Sequence, residues 1–185
     1  MPIPRPHPLL PAAGLLLVLA ACGDPALPPG GDFTLQAPEG ALDTRTLRGS
    51  ALLVCFGYAA CPDPVQAHVR ACAQALQRLP ADQRARVRLL LVSSDPWRDT
   101  PARMGAYAAL LDPAVTGLTG APEVVAAVER AFGAPAVRGP AGPDGGYDVT
   151  HSRRIHVVDP RGRLAAVLPA NAGPDRVLSA LRRVL

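Results

Sequence analysis

The stretch ALLVCFGYAACPDPVQAHVRACAQALQRL, residues 51–79, changes its hydrophobic pattern midway. Residues 51–58 form a continuous apolar run, which is typical of a strand buried on both faces of a sheet. Residues 64–79 instead place apolar side chains at the spacing of one helical face. A second apolar run, VRLLLVSSD at 87–95, predicts another buried strand. Because strand, helix and strand in this order form a βαβ unit, we expect the two strands to be parallel neighbours.

The rest of the chain extends this unit at both ends. FTLQAPEG, residues 33–40, predicts a short strand and a turn before it. The segments after it predict helices at 100–111, 121–133 and 173–185, and strands at 154–159 and 164–168 around the turn PRG. Strands that alternate with helices, followed by a hairpin and a closing helix, predict an α/β thioredoxin-like fold with a central mixed sheet flanked by helices.

The N-terminal residues have the pattern of a secretory signal. Their apolar run, 12–21, is shorter than the roughly 20 residues that a membrane-spanning helix requires. The run ends in LAAC, which resembles the bacterial lipoprotein signal, in which cleavage leaves a lipidated cysteine as the first residue. We therefore assign residues 1–21 to a signal peptide and Cys22 to lipidation. The alternative is an ordinary signal peptide followed by a chance cysteine.

These assignments predict where the protein resides. Residues 22–32 comprise the lipidated cysteine and a Pro/Gly-rich linker that acts as a semi-rigid spacer. Residues 33–185 have the size of one ordinary domain. We expect this domain outside the cytoplasmic membrane, in the cell envelope or periplasm, held to the membrane surface by its lipid anchor.

The charge balance does not indicate a nucleic-acid partner. The chain has 19 basic and 15 acidic residues, a net charge of +4. Removing Arg5 with the signal peptide leaves 18 basic residues against 15 acidic ones. Basic residues cluster only in pairs such as Arg153 and Arg154. We therefore expect no nucleic-acid binding.

Cys61 is the candidate reactive residue among the three cysteines that remain after Cys22. Asp63 as N-cap, Pro64 at the first helical position and Gln66 as capping-box residue predict a helix start just after it. A thiol at that end favours its thiolate form, which is both nucleophile and metal ligand. The alternative is that Cys61 is a small buried hydrophobe. Cys55, in mid-strand, and Cys72, on the apolar helix face, are predicted to be core residues.

The segment DPWRDTP, residues 95–101, ends the second buried strand. Asp95 is expected at the carboxyl edge of the sheet, where sites of open α/β sheets collect. Arg98 and Asp99 could form a local ion pair that orders this loop. Alternatively, Asp99 or Thr100 caps the next helix before Pro101. We interpret the segment as a marker of the fold.

Four motifs together resemble a known family. FGYAACPDP, VSSDPWRDTP, LTG at 118–120 and YDVTHSRRIHVVDPRG occur in the order seen in the Sco/SenC family of copper-site assembly proteins. The resemblance covers residue 33 to the C-terminus. It implies a membrane-anchored thioredoxin-like domain that helps load copper into cytochrome c oxidase. The implied partners are a respiratory oxidase subunit or another copper protein.

The resemblance also implies a metal site, which this chain retains only in part. Family members bind copper, as Cu(I) or Cu(II), through two cysteines of a CxxxC motif and one distant histidine. Here the first cysteine is Cys61 and the histidine is His151, whereas the second cysteine is replaced by Val65. The aspartate that usually precedes the histidine is replaced by Thr150. Thiolate and imidazole still suit Cu(I), which is a soft ion.

Two other histidines are candidates for a role at this site or in the core. His68, one helical turn after Val65, is a possible third ligand in place of the missing thiol, although a surface position is the commoner outcome for such a histidine. His156 lies within a predicted strand where the family has a bulky aromatic residue, and we expect it to serve packing.

Two further interpretations stay open. Cys61 could act as a single-cysteine thiol oxidoreductase, resolved by an external thiol. Alternatively, the replacement by Val65 could mark a degenerate, metal-free binding module. A dithiol cycle within the domain is excluded in either case, because it needs a resolving thiol.

Overall fold

The computed structural model of the chain describes Met1 and residues 26–61, 66–143 and 145–185. The expected signal peptide, Cys22, Asp63, Pro64 and Val65 lie outside these residues, so the expectations about them stay predictions. Within the described ranges, no helix has the length and apolar content needed to cross a membrane.

The described residues form strands and helices in alternation. The strands are β1 (Thr34–Ala37), β2 (Gly40–Asp43), β3 (Ala51–Gly57), β4 (Val87–Ser93), β5 (Val115–Leu118), β6 (Val137–Arg138), β7 (Val149–Thr150), β8 (Ile155–Val158) and β9 (Leu164–Leu168). The α-helices are α1 (Ala67–Gln77), α2 (Ala81–Arg84), α3 (Pro101–Leu111), α4 (Pro122–Ala131) and α5 (Pro174–Arg182).

One five-stranded mixed sheet, in the order β5-β4-β3-β8-β9, carries the fold. β4 runs parallel to both β3 and β5. β8 runs antiparallel to β3, and β9 runs antiparallel to β8. The predicted βαβ unit, the C-terminal hairpin and the mixed central sheet are therefore confirmed.

Two apolar layers cover the faces of this sheet. Successive side chains of a strand point to opposite faces, so β3 contributes to both layers. Leu53 and Cys55 pack in one layer with side chains of α1, α3 and α5. Val54 and Phe56 pack in the other layer with side chains of β1 and α4. The helices thereby hold the ends of β3 and β4 in fixed positions.

The end of the expected linker lies against the domain. The amide of Gly30 donates a hydrogen bond of 2.8 Å to the carbonyl of Ala131 at the end of α4. A side chain at Gly133, where φ is +63°, would clash with Pro28. Pro28 and Gly30, at the end of the expected linker, therefore lie against the domain.

Strand β5 was not expected from the sequence. Its four residues contain Gly117, which weakens the β pattern. A Cβ atom at Gly117 would lie 2.2 Å from the carbonyl oxygen of Met104, so glycine is needed for the close approach of α3. A packing requirement of this kind cannot be read from residue propensity.

Helix α1 begins at Ala67, three residues later than expected. Gln66 has φ of +36°, in the left-handed region, which interrupts the helical backbone. The expectation that Gln66 closes a capping box is wrong, since its side chain makes no cap hydrogen bond. Cys61 therefore precedes the N-cap residue, Gln66, by five residues and not by the expected two.

Candidate metal site

Cys61 and His151 meet at the edge of the sheet where β3 and β4 end. Cys61 follows β3 through a turn in which its amide donates to the carbonyl of Tyr58, at 3.2 Å. His151 directly follows β7. The Sγ atom of Cys61 lies 3.6 Å from Nε2 of His151, although 90 residues separate them in the sequence. Both side chains are partly exposed, so the pair is open to a partner or a metal ion.

The hydrogen bonding of His151 orients its Nε2 atom toward the thiol. Its Nδ1 atom lies 3.1 Å from the carbonyl oxygen of Ser152. Because a carbonyl can only accept, Nδ1 carries the hydrogen in the neutral ring, and Nε2 is the unprotonated nitrogen. A backbone carbonyl at the other ring nitrogen is the usual way in which a metal-binding histidine is oriented.

The spacing of the two donor atoms suits one soft metal ion. In protein metal sites of this donor type, a sulfur lies about 2.3 Å and an imidazole nitrogen about 2.0 Å from the ion. The sum of these lengths, about 4.3 Å, exceeds the 3.6 Å between Sγ and Nε2. Both atoms can therefore reach a single ion without a rearrangement of the loops.

Tyr58 supports the loop that carries His151. Its ring packs edge-on against the His151 ring, with centroids 5.5 Å apart. Its hydroxyl oxygen accepts a hydrogen bond of 3.3 Å from the amide of Val149, in β7. Burial raises the pKa of Tyr58, so its hydroxyl stays neutral. This buried side chain thus links the end of β3 to the strand just before His151.

Asp99 holds the loop that carries Cys61. Its Oδ2 atom accepts hydrogen bonds from the amide of Ala59 at 3.2 Å and from the hydroxyl of Ser93 at 2.7 Å. Arg103 lies 3.5 Å from the other carboxylate oxygen. Burial raises the pKa of Asp99, and the two hydrogen bonds oppose that shift. Since Ala59 lies two residues before Cys61, Asp99 limits the movement of the thiol.

Asp95 organises the other side of the same edge. It is fully buried, forms an ion pair with Arg98 and accepts a hydrogen bond of 2.9 Å from the hydroxyl of Tyr147. The expected pair of Arg98 with Asp99 is wrong, because Arg98 pairs with Asp95. The alternative, in which Asp99 or Thr100 caps the next helix, is confirmed for Thr100. Its hydroxyl accepts a hydrogen bond of 3.2 Å from the amide of Arg103, in the first turn of α3.

The segment DPWRDTP is thus more than a marker of the fold. Through Asp95 and Asp99, it braces both loops that carry the Cys61 and His151 pair. The one available sequence signal was the placement of two carboxylates just after a buried strand. That signal could not show which backbone groups they would bind.

His68 does not join the pair. It is buried, contrary to the surface position expected as the commoner outcome. Its Nε2 atom lies 3.3 Å from the carbonyl of Phe56 and donates to it. Across the described part of the chain, no three His, Cys, Asp or Glu side chains converge as a metal site. The idea of His68 as a third ligand therefore gains no support from its position.

The other two cysteines and His156 lie in the core, as expected. Cys55 and Cys72 are fully buried as free thiols, with their sulfurs 3.9 Å apart. Burial raises the pKa of Cys72 well above its ordinary value. His156 is enclosed by Phe56 and Phe132, and its Nδ1 atom donates to the carbonyl of Val54 at 3.2 Å.

Comparison with known proteins places this geometry in a family. The SCO1/SenC family profile matches residues 24–185. A curated relative from Stutzerimonas stutzeri, described as a putative copper-binding protein, is 33% identical over 143 residues, which are 77% of this chain and 69% of the relative. A longer curated relative is the mitochondrial SCO2 homolog of Bos taurus, and this chain spans 58% of its length.

Solved structures give the same result. Apo Sco1 from Thermus thermophilus superposes with a TM-score of 0.77 and 31% identity, over 85% of this chain and 92% of that one. ScoI from Bradyrhizobium japonicum, solved with copper bound, has a TM-score of 0.71 and 31% identity, over 84% of this chain and 99% of that one. The thioredoxin-like fold expected from the sequence is therefore confirmed.

Proposed function

This chain belongs to the SCO1/SenC family, and we propose that it binds copper through Cys61 and His151 and helps deliver it during cytochrome c oxidase assembly. The observation that carries the proposal is the 3.6 Å contact between Sγ of Cys61 and Nε2 of His151. These are the two residues onto which the family resemblance maps a thiolate and an imidazole ligand. Copper-binding relatives of the same fold support the choice of metal.

The donor set favours Cu(I). A thiolate is a soft ligand, and an imidazole nitrogen completes a two-donor site. With Val65 in place of the second cysteine, Cys61 and His151 would hold the ion with one protein ligand fewer than the family resemblance implies, which would leave room for a further ligand. A donor atom of an acceptor protein can bind at that position before Cys61 and His151 release the ion. A site with two protein ligands is therefore suited to transferring copper rather than storing it.

The support around the site is part of the proposal. Asp99 holds the backbone two residues before Cys61, and Tyr58 packs on His151 and holds β7. A site with only two protein ligands depends strongly on the placement of each one, since no third ligand restrains the ion. We infer that these two side chains keep the thiol and the imidazole within reach of one ion.

The lipid anchor completes the proposal. Cleavage before Cys22 and lipidation of that residue would hold the domain at the outer face of the cytoplasmic membrane, beside a membrane-bound oxidase. The mass of the mature chain and its recovery in the membrane fraction test this part. In a Cys22→Ser variant, we expect both the lipid mass and the membrane recovery to be lost.

A complementation experiment tests the function in cells that lack this protein. We expect the wild-type chain and a Cys72→Ala variant to restore oxidase activity, and a Cys61→Ser variant to fail. The Cys72→Ala variant is the matched control, because it also removes one thiol but leaves the edge of the sheet intact. Full rescue by Cys61→Ser would instead favour the metal-free module.

A second candidate function has one observation in its favour. A partly exposed cysteine in contact with a histidine nitrogen is also the arrangement of an activated thiol. In that case, peroxide would convert Cys61 to a sulfenic acid that an external thiol reduces. Failure to trap a sulfenic acid at Cys61 by mass spectrometry after peroxide treatment would argue against this activity.

A further inference from the structure

One exposed surface beside the metal site carries apolar and cationic side chains together. We define it by three residues: Trp97, Val137 and Arg138. Trp97 is 57% exposed and Val137 is 64% exposed. The guanidinium carbon of Arg138 lies 5.8 Å from the centroid of the Trp97 ring. The side chains of Trp97 and Arg138 are therefore in contact, and Val137 precedes Arg138 in β6.

This patch adjoins His151. In the β6–β7 ladder, Val137 is the partner of Thr150, and His151 is the next residue along the chain. Trp97 lies in the segment between Asp95 and Asp99, the two carboxylates that brace the site. A protein seated on Trp97, Val137 and Arg138 would therefore lie next to the Cys61 and His151 pair.

The patch also contains the positive charge of Arg138, which has no ion-pair partner among the described residues. Arg98 and Arg138 both stack on the ring of Tyr147, with guanidinium carbons 3.9 Å and 4.0 Å from its centroid. Arg98 is neutralised by its ion pair with the buried Asp95. In the described part of the chain, no carboxylate lies within ion-pair distance of Arg138. Among the described residues, the two cations on this ring are therefore matched by one paired carboxylate, that of Asp95.

The patch is preorganised as well as exposed. The amides of Arg98 and Asp99 both donate to the carbonyl of Asp95, at 3.1 Å and 3.0 Å, which fixes the turn that carries Trp97. Stacking on Tyr147 orders the Arg138 side chain before any partner arrives. Side chains held in this way lose little conformational entropy on binding, and Trp and Arg are frequent in binding hot spots.

We propose that Trp97, Val137 and Arg138 form the docking surface for the copper-accepting protein, which presents a carboxylate to Arg138 and an apolar side chain to Trp97 and Val137. This inference rests on the proposed function, because copper transfer requires an acceptor beside His151. Charge complementarity selects an acidic partner. An anionic lipid surface would also attract Arg138, but it offers no ligand that could receive copper.

Binding can be tested without copper, which separates this inference from the metal site. The probe is the purified copper-binding domain of the respiratory oxidase from the same organism, titrated into the full-length apo chain and followed by calorimetry. Arg138→Glu and Trp97→Ala are the test variants. Arg86→Glu is the matched control, because Arg86 is an exposed arginine just before β4, at the opposite edge of the sheet.

We expect Arg138→Glu and Trp97→Ala each to weaken binding by about tenfold or more, and Arg86→Glu to leave it unchanged. Added salt should weaken binding of the wild-type chain more than that of Arg138→Glu. All variants should retain the Cu(I) affinity of the wild-type chain, which shows that the site is intact. A chain that binds the acceptor but no copper would contradict the proposed function and not the docking surface.

Absence of binding by the wild-type chain would overturn the docking surface, and so would each of three results with the variants. The first is wild-type affinity of Arg138→Glu for the acceptor domain. The second is an equal loss in Arg86→Glu, which would indicate a general charge effect. The third is binding to anionic phospholipid vesicles that depends on Arg138, with no such dependence for the acceptor domain.

Discussion

The sheet edge and the core of this domain each hold cysteine and histidine side chains, with opposite surroundings. At the edge, Cys61 and His151 are partly exposed, and their sulfur and nitrogen lie 3.6 Å apart. In the core, the sulfurs of Cys55 and Cys72 lie 3.9 Å apart, and His156 is buried one strand away. The two sets have similar contact distances and the same residue types.

The difference shows that position, and not residue type, decides which set is accessible from solvent. Burial opposes the charged thiolate, and burial raises the pKa of Cys72 well above its ordinary value. Burial likewise lowers the pKa of His156, although hydrogen bonds oppose that shift. At the edge, solvent can reach the pair, and Asp99 and Tyr58 orient it without enclosing it.

The largest expected difference between the two sets is in thiol reactivity. A thiol reagent reaches Cys55 and Cys72 only when the core opens, which costs a large part of the folding free energy. We expect Cys61 to react at least about 1,000-fold faster than either of them. The rates are measured by mass spectrometry of alkylated peptides from the native chain. Similar rates for all three cysteines would contradict the comparison.

Adding a second sulfur at the edge should sharpen the contrast. A Val65→Cys variant restores the CxxxC spacing of the family and offers Cu(I) a second thiolate. We expect its Cu(I) affinity to rise by about 10- to 100-fold, since soft thiolates dominate binding of this ion. A competition titration beside a Val65→Ala control measures the gain. Equal affinities of the two variants would show that position 65 does not face the metal.

Weakening the hydrogen bonds that hold the loop of Cys61 should have a smaller effect on the Cu(I) affinity. An Asp99→Asn variant keeps the shape of the side chain but replaces a charged acceptor that holds Ala59 and Ser93. We expect its Cu(I) affinity to fall by about tenfold, which is typical of residues that orient metal ligands. Asp175→Asn, an exposed position on α5, is the control. A loss in both variants, or in neither, would contradict the role of Asp99.

The smallest expected effect concerns the histidine of the core. Because burial lowers the pKa of His156, the unfolded chain binds more protons than the folded one as the pH falls through the ordinary histidine range. The contribution of His156 to the stability of the fold is therefore fully present above the ordinary histidine pKa, and it is lost as the pH falls below that value. We expect the melting temperature to fall by a few degrees, about 2–4 °C, between about pH 8 and pH 5.5.

A His156→Phe variant provides the comparison for this pH effect. Phenylalanine also offers an aromatic ring to Phe56 and Phe132, and it cannot be protonated. The acids Asp99 and Glu129, whose pKa values burial raises, act in the opposite direction in both proteins. The difference between the two melting curves therefore isolates His156. Identical pH dependence in wild type and variant would contradict this assignment.

Much of the fold was predictable because hydrophobic periodicity reports burial directly. The apolar runs that became β3 and β4 and the hairpin of β8 and β9 were strong signals. Strand β5 was missed because Gly117 reflects the close approach of α3 and not a local preference. The start of α1 was misplaced because the left-handed backbone of Gln66 overrides the capping pattern before it.

The site was predictable only through the family resemblance. No spacing rule links Cys61 to a histidine 90 residues away, and the structure brings them together by placing β7 beside the end of β3. The sequence places the carboxylates of Asp95 and Asp99 just after a buried strand, but their hydrogen-bond partners depend on tertiary contacts. His68 and His156 illustrate the same limit, since burial among neighbouring elements decides their roles.

The central claim is that Cys61 and His151 together bind copper, and a Cu(I) competition titration tests it most directly. The titration is done anaerobically on the wild-type chain and its Cys61→Ser and His151→Ala variants, with Cys72→Ala as control. We predict one Cu(I) per wild-type or control chain and a loss of affinity of at least about 100-fold in each of the other two variants. Wild-type affinity in either of them would contradict the account.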